Sequence, residues 1–111
     1  MTSIQSKVSK IAQALTSIEG LNVYHYWRTN VKAPYCIYYE METVGQAMDG
    51  HTGEYGIAIY VDYFTRAEYD PKVDQIQEAL NTVEGCAFHY EGAQFEEDTS
   101  LIHSSWECEV I

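Results

Sequence analysis

Four histidines and three cysteines, set among seventeen carboxylates, are the side chains of this 111-residue chain best suited to ligate a metal or attack a substrate. Zinc sites announce themselves by close ligand pairs, typically two cysteines roughly two to four residues apart. Here the closest pairs are Cys86 with His89 and His103 with Cys108, and neither has a matching pair elsewhere. Each pair is also separated by an odd step, which in a strand turns the two side chains to opposite faces. Cys86 and Cys108 therefore read as small buried hydrophobes and the histidines as surface residues. No metal site and no cofactor is expected. A nucleophilic cysteine needs a helix N-terminus or a basic neighbourhood to stabilise its thiolate, and neither Cys36, Cys86 nor Cys108 has one. The chain also lacks a G-x-S-x-G elbow, a phosphate-binding glycine loop and an H-E-x-x-H helix. Glu40 and Glu42 share a strand face, a pairing that chance supplies in so acidic a chain. The expectation is a protein that is not an enzyme. A hydrolase or metal enzyme working through His89, His103 and Cys108 is the least supported alternative.

Contact chemistry is better represented. Ten tyrosines and two tryptophans are a rich aromatic supply for this length. Tyr38, Tyr60 and Phe64 alternate with apolar residues in strand-like runs and share their faces with charged residues. Tyrosine on a half-exposed face suits protein–protein contact, although tyrosine also simply favours strands. Between two such runs, residues 44–54 carry Gly45, Gly50 and Gly53 with Met48 and His51 among them. This is more loop than a hairpin needs, and it reads either as an arm that orders against a neighbour or as a mobile tip. The candidate interface residues are therefore Tyr38, Met48, His51, Tyr60 and Phe64, with Met48 as the loop's apolar anchor.

These residues are positioned by a helix–strand pattern that is legible along the whole chain. Ile4, Val8, Ile11, Leu15 and Ile18 recur at helical steps, with Lys7, Lys10 and Gln13 off the stripe. Ser3 is the expected N-cap, and Gly20 the left-handed stop. Val23, Tyr24, Tyr26 and Trp27 are strand formers, and Pro34 favours an extended Ala33. Strands are expected over residues 35–43 and 55–65. In the first, Tyr35, Ile37, Tyr39 and Met41 oppose Cys36, Tyr38, Glu40 and Glu42. In the second, Ile57, Ile59, Val61 and Tyr63 oppose Ala58, Tyr60, Asp62 and Phe64. Asp70-Pro71 opens a second helix, whose stripe is Val73, Ile76, Leu80 and Val83 and whose stop is Gly85. Strands near residues 86–90 and 101–110 follow, the latter turning Ile102, Trp106, Cys108 and Val110 inward. Glu96, Glu97 and Asp98 fall in the connection between them. The expected fold is α+β: one domain over 1–111, two helices on one face of a mostly antiparallel sheet, in the order α-β-β-β-α-β-β.

Composition narrows the function classes. With 46% hydrophobic and 21% charged residues the chain is globular, and no apolar run is long enough to span a bilayer or to form a leader after Met1. Six basic against seventeen acidic residues give a net charge of −11. Neither nucleic-acid nor membrane binding is expected, since phosphate recognition needs clustered cations. Three cysteines, an odd number, do not form a secreted disulfide framework, so a reducing cytosol is expected.

Several phrases carry a family likeness. The first helix ends at Gly20. Ala33-Pro34-Tyr35 opens the strand Cys36-Ile37-Tyr38-Tyr39, the run from Ile57 to Phe64 leads to Asp70-Pro71, and Phe95, Asp98-Thr99 and Leu101-Ile102-His103 precede the last strand. Over nearly its whole length the chain thereby resembles the small tail-completion or tail-terminator proteins, and related minor capsid proteins, of long-tailed bacteriophages and prophages. The resemblance implies a non-enzymatic α+β subunit that assembles with itself, typically as a hexameric ring, on the head-proximal end of the tail tube. Its partners would be tail-tube and head-connector proteins, and its places the virion and, during assembly, the host cytoplasm. Pro34, Tyr35 and Gly85 match only as structural punctuation. The alternative is a small α+β ligand-binding or regulatory module of the bacterial cytoplasm, with Tyr38 and Tyr60 lining a pocket.

Overall fold

The structure, a computed structural model, describes residues 3–27, 31–44 and 56–111. Helix α1 (Ile4–Thr16) begins where the Ser3 hydroxyl accepts the Ser6 N–H at 3.1 Å, satisfying one orphan donor of the first turn. Its stripe buries Val8, Ile11 and Leu15, and the chain leaves the helix through Gly20 at φ +80. Lys7, expected off the stripe, is instead buried at 4% exposure. A lysine is buried this way by laying its methylene stem along packed surface.

Helix α2 (Pro71–Asn81) shows the Asp-Pro start at work. Asp70 Oδ1 accepts the Lys72 N–H at 2.9 Å, while Oδ2 accepts the hydroxyls of Tyr63 and Thr65, each at 2.7 Å. Burial opposes the charge, yet these bonds from Thr65, Lys72 and Tyr63 hold the carboxyl below the usual aspartate range. One side chain thus caps the helix and ties it to the strand before it.

Five strands form one sheet: β1 (Val23–His25), β2 (Tyr35–Val44), β3 (Gly56–Thr65), β4 (Cys86–Glu96) and β5 (Leu101–Val110), in spatial order β1-β2-β3-β5-β4. The element order is the expected one, and all neighbours are antiparallel except β1, which lies parallel to β2. Its strand is shorter than the run of strand formers suggests, because Tyr26 sits at φ 73 and turns the chain out of extended geometry after His25. The Ala33–Pro34 peptide is cis.

Both helices pack on the same side of this sheet. Ile57, Ile59, Val61 and Tyr63 of β3 and Trp106, Cys108 and Val110 of β5 meet Ile11, Leu15, Ile76 and Leu80 there, all essentially inaccessible to water. Burying each such side chain contributes roughly 1.5–3 kcal/mol. Trp106 keeps its polar end satisfied by donating to Gln77 Oε1 at 3.2 Å.

Two bulges alter the expected alternation. In β2 the register slips between Glu40 and Glu42, so that Glu42 pairs with Ala58 on the face away from the helices. The strict alternation that grouped Glu42 with Cys36, Tyr38 and Glu40 therefore fails, since one extra residue flips every later side chain. In β4 the slip lies between Tyr90 and Gly92, where Gly92 adopts φ +105. The bulge lets the strand continue to Glu96 rather than stop near Tyr90, placing the first residue of the acidic stretch in the sheet.

Candidate protein-contact face

Among the described residues, no element covers the sheet face opposite the helices. Pairing defines its rows: Tyr39, Tyr60 and Glu107 lie side by side across β2, β3 and β5, as do Ile37, Asp62 and Ser105, and then Tyr35, Phe64 and His103. His89 extends the first row and Gln94 the third on β4.

The third row is an aromatic stack. Tyr35 and Phe64 lie with centroids 4.9 Å apart, and Phe64 stacks on His103 at 4.2 Å. The His103 ring then bridges three strands: Nε2 is 3.0 Å from Asp62 Oδ1 on β3, and Nδ1 is 3.3 Å from Glu96 Oε2 on β4. Ser105 Oγ donates to the same Asp62 oxygen at 2.9 Å and lies 3.1 Å from His103 Nε2. Serine, histidine and carboxylate in this order resemble a hydrolytic triad, but the polarity is wrong. Both ring nitrogens face carboxylates, and the hydrogen bond to Asp62 is the largest effect raising the His103 pKa above the ordinary imidazole value; burial opposes it, and the field of Asp62 and Glu96 adds to it. With a carboxylate at each ring nitrogen and the Ser105 hydroxyl donating to Asp62, the ring is not arranged to take the Ser105 proton.

The first row is a tyrosine pair set among carboxylates. Tyr39 and Tyr60 lie with centroids 5.7 Å apart. Burial, followed by the charge and hydrogen bonding of Asp62 and by Tyr60 and Glu91, pushes the Tyr39 phenol up to about 12. Tyr60 is likewise raised, by desolvation and then by Glu107, Glu91 and Glu42. Both phenols stay protonated, donor-capable and surrounded by carboxylates.

The charge pattern behind this is a property of the whole sheet: no residue of β1 to β5 is lysine or arginine. Several cations elsewhere are spent on backbone carbonyls. Lys72 donates to Glu19 O at 2.8 Å, Arg66 to Thr99 O at 3.2 Å, and Lys10 to Glu84 O at 3.2 Å.

Tyr60 and Phe64 take their expected places on the open face. Tyr38 does not join them. It pairs with Val61, so it faces the helices, packing against the core and stacking on His25 at 4.6 Å. A surface shared by Tyr38 and Tyr60 is thereby ruled out by register. Met48, His51 and the loop's glycines lie outside the described residues. Tyr39, Asp62, His103, Ser105 and Glu96 were not singled out together in sequence; the signal available was the alternate placing of His103, Ser105 and Glu107, but nothing local says which strand lies beside them.

On the helix side, His25 Nε2 lies 2.8 Å from Glu40 Oε1, its ring stacked between Tyr26 and Tyr38. An open groove of about 470 Å³ runs between the start of α2 and the β4–β5 pair, lined by Thr65, Asp70, Val73, Tyr90, Ile102 and Ser104 among others. Cys36, Cys86 and Cys108 are free thiols. Burial pushes Cys36 up, and the Cys86 thiol followed by burial pushes Cys108 up, so both stay protonated. Among the described residues no group of three or more His, Cys, Asp or Glu is placed to hold a metal ion, and no helix is long and apolar enough to cross a membrane.

The fold is thus a helix-backed sheet with one face that no described element covers. Comparison with known proteins finds no matching family model and no matching curated protein.

Proposed function

We propose that the protein is a structural subunit of a phage or prophage virion, seated as a ring at the tail terminus or the head–tail junction. The observation that carries this reading is the aromatic and acidic sheet face that no described element covers, a surface suited to binding another macromolecule. The likeness of Ala33-Pro34-Tyr35, Asp70-Pro71 and the closing strand to tail-completion proteins supplies the setting. The sheet also ends in two unlike edges, β1 and β4. Edges of this kind are natural material for a head-to-tail contact between copies, which closes into a ring when the rotation permits. An acidic ring would repel the phosphates of DNA passing through it.

The test is to add purified protein to tail tubes assembling in vitro and image the tube ends by negative stain. Rings at one end, with tube length becoming limited, are the expected outcome; bare ends and unchanged lengths would reject the proposal. The groove between α2 and β4–β5 favours a second reading, a cytoplasmic ligand-binding module. Purified protein that stays monomeric with tubes present, and carries a small molecule in native mass spectra, would establish that reading instead.

A further inference from the structure

We propose that the open sheet face, centred on Tyr39 and Tyr60, is the docking surface for an arginine-bearing segment of a partner protein. The inference rests on this face being the contact surface and does not depend on that contact lying in a virion. Three observations select the occupant. First, the Tyr39–Tyr60 pair presents aromatic rings beside Glu107, Glu91 and Glu42, with no helix over them among the described residues. Second, the strands contain no lysine or arginine. A second copy of the sheet would bring carboxylates against carboxylates, and like-charge juxtaposition of this kind is how interfaces exclude wrong partners. Nucleic acid and anionic lipid are repelled for the same reason. Third, His103 is engaged by Asp62 and Glu96, and no salt bridge among the described residues reaches Glu107 or Glu91, which leaves both for a cation from outside.

Arginine fits better than lysine. Its planar guanidinium stacks on a tyrosine face while its fork of N–H donors engages a carboxylate, whereas an ammonium is a compact, strongly hydrated charge. Between two tyrosines and the glutamates around them, a guanidinium satisfies both kinds of neighbour at once.

The experiment is a titration of the isotope-labelled full chain with hexa-arginine and, separately, hexa-lysine at physiological salt, followed by NMR. Shifts are expected to concentrate on the strands around Tyr39, Tyr60 and Glu107, with hexa-arginine binding about threefold or more tighter than hexa-lysine. Tyr60→Leu keeps apolar bulk but removes the ring, and is expected to erase the preference for arginine. Glu107→Gln is expected to weaken hexa-arginine by about threefold. The control is Glu78→Gln, which removes the same charge from the exposed side of α2, and its expected effect is less than about 1.5-fold. Equal losses in Glu107→Gln and Glu78→Gln, or shifts spread over both helices, would reduce the binding to net acidity and overturn the proposal. Concentration-dependent broadening of the same strand signals without peptide would assign the face to a second copy and overturn it too. Tail-tube capping is read separately, so either result stands whether or not rings form.

Discussion

One sheet presents two chemistries because its strands alternate. Toward the helices, β3 and β5 offer Ile57, Ile59, Val61, Trp106, Cys108 and Val110, which are essentially inaccessible to water. Away from them the intervening residues are Tyr60, Asp62, Phe64, His103, Ser105 and Glu107. The first face is held by apolar burial, which is non-directional and admits a polar group where it is hydrogen-bonded, as Thr65 is to Asp70. The second is held by stacked rings and a charged bridge, each worth little alone while water competes for it. The difference teaches where substitutions should be felt: stability on one side, binding and pH response on the other.

The strongest test of that division is Trp106→Ala. Emptying a fully buried indole site should cost about 3–5 kcal/mol in urea unfolding, whereas Tyr60→Leu, one residue away in the ladder and on the other face, should cost less than about 1 kcal/mol. Comparable losses would erase the distinction between the faces.

Asp70→Ala should come next, at about 1–2 kcal/mol, because it removes the α2 cap and leaves the Tyr63 and Thr65 hydroxyls without their acceptor. Its carboxyl is depressed in the folded state, so its contribution is complete above the ordinary aspartate value of about 4 and is lost as pH falls through the lower folded value. Acid unfolding profiles of wild type and Asp70→Ala should therefore converge at the acid end.

His103 sharpens the contrast with the opposite sign. Its folded pKa is raised, so the bridge across β3, β5 and β4 contributes fully below about pH 6.5 and is lost as pH rises through the raised value. His103→Asn should flatten the fall in stability with pH over that window. A wild-type curve already flat there would mean that Asp62 and Glu96 do not raise the ring's pKa on folding. The smallest effect belongs to Glu107→Gln, within about 0.5 kcal/mol of wild type in stability despite its expected effect on arginine binding.

The parts that were readable in sequence are those whose causes are local. The stripe of Val8, Ile11 and Leu15, the Asp70-Pro71 start and the alternation from Ile57 to Phe64 each follow from one segment's own period or capping chemistry. Lys7 escaped that logic because burial of a lysine depends on what lies beside the helix. Tyr38 and Tyr60 each share a face with charged residues of their own strand, but a face is common to two strands only through register, and β2 pairs Tyr38 with Val61. The site residues were harder still: His103 lies 41 positions from Asp62, and no periodicity connects them.

Sequence by itself thus determined the helices, the strands and the two-faced character of β3 and β5, because propensity, capping and side-chain alternation act within a few residues. It also determined the acidity of the sheet, since none of the strand segments carries lysine or arginine. Tertiary structure alone decided that β1 runs parallel to β2, that bulges at Glu40/Glu42 and Tyr90/Gly92 redirect the side chains beyond them, and that β3, β4 and β5 bring Asp62, Glu96 and His103 together. Those outcomes depend on which strands meet and in what register. That choice is made by the packing of the whole apolar face against both helices, where a slip of one residue would turn Trp106 and its neighbours out to water.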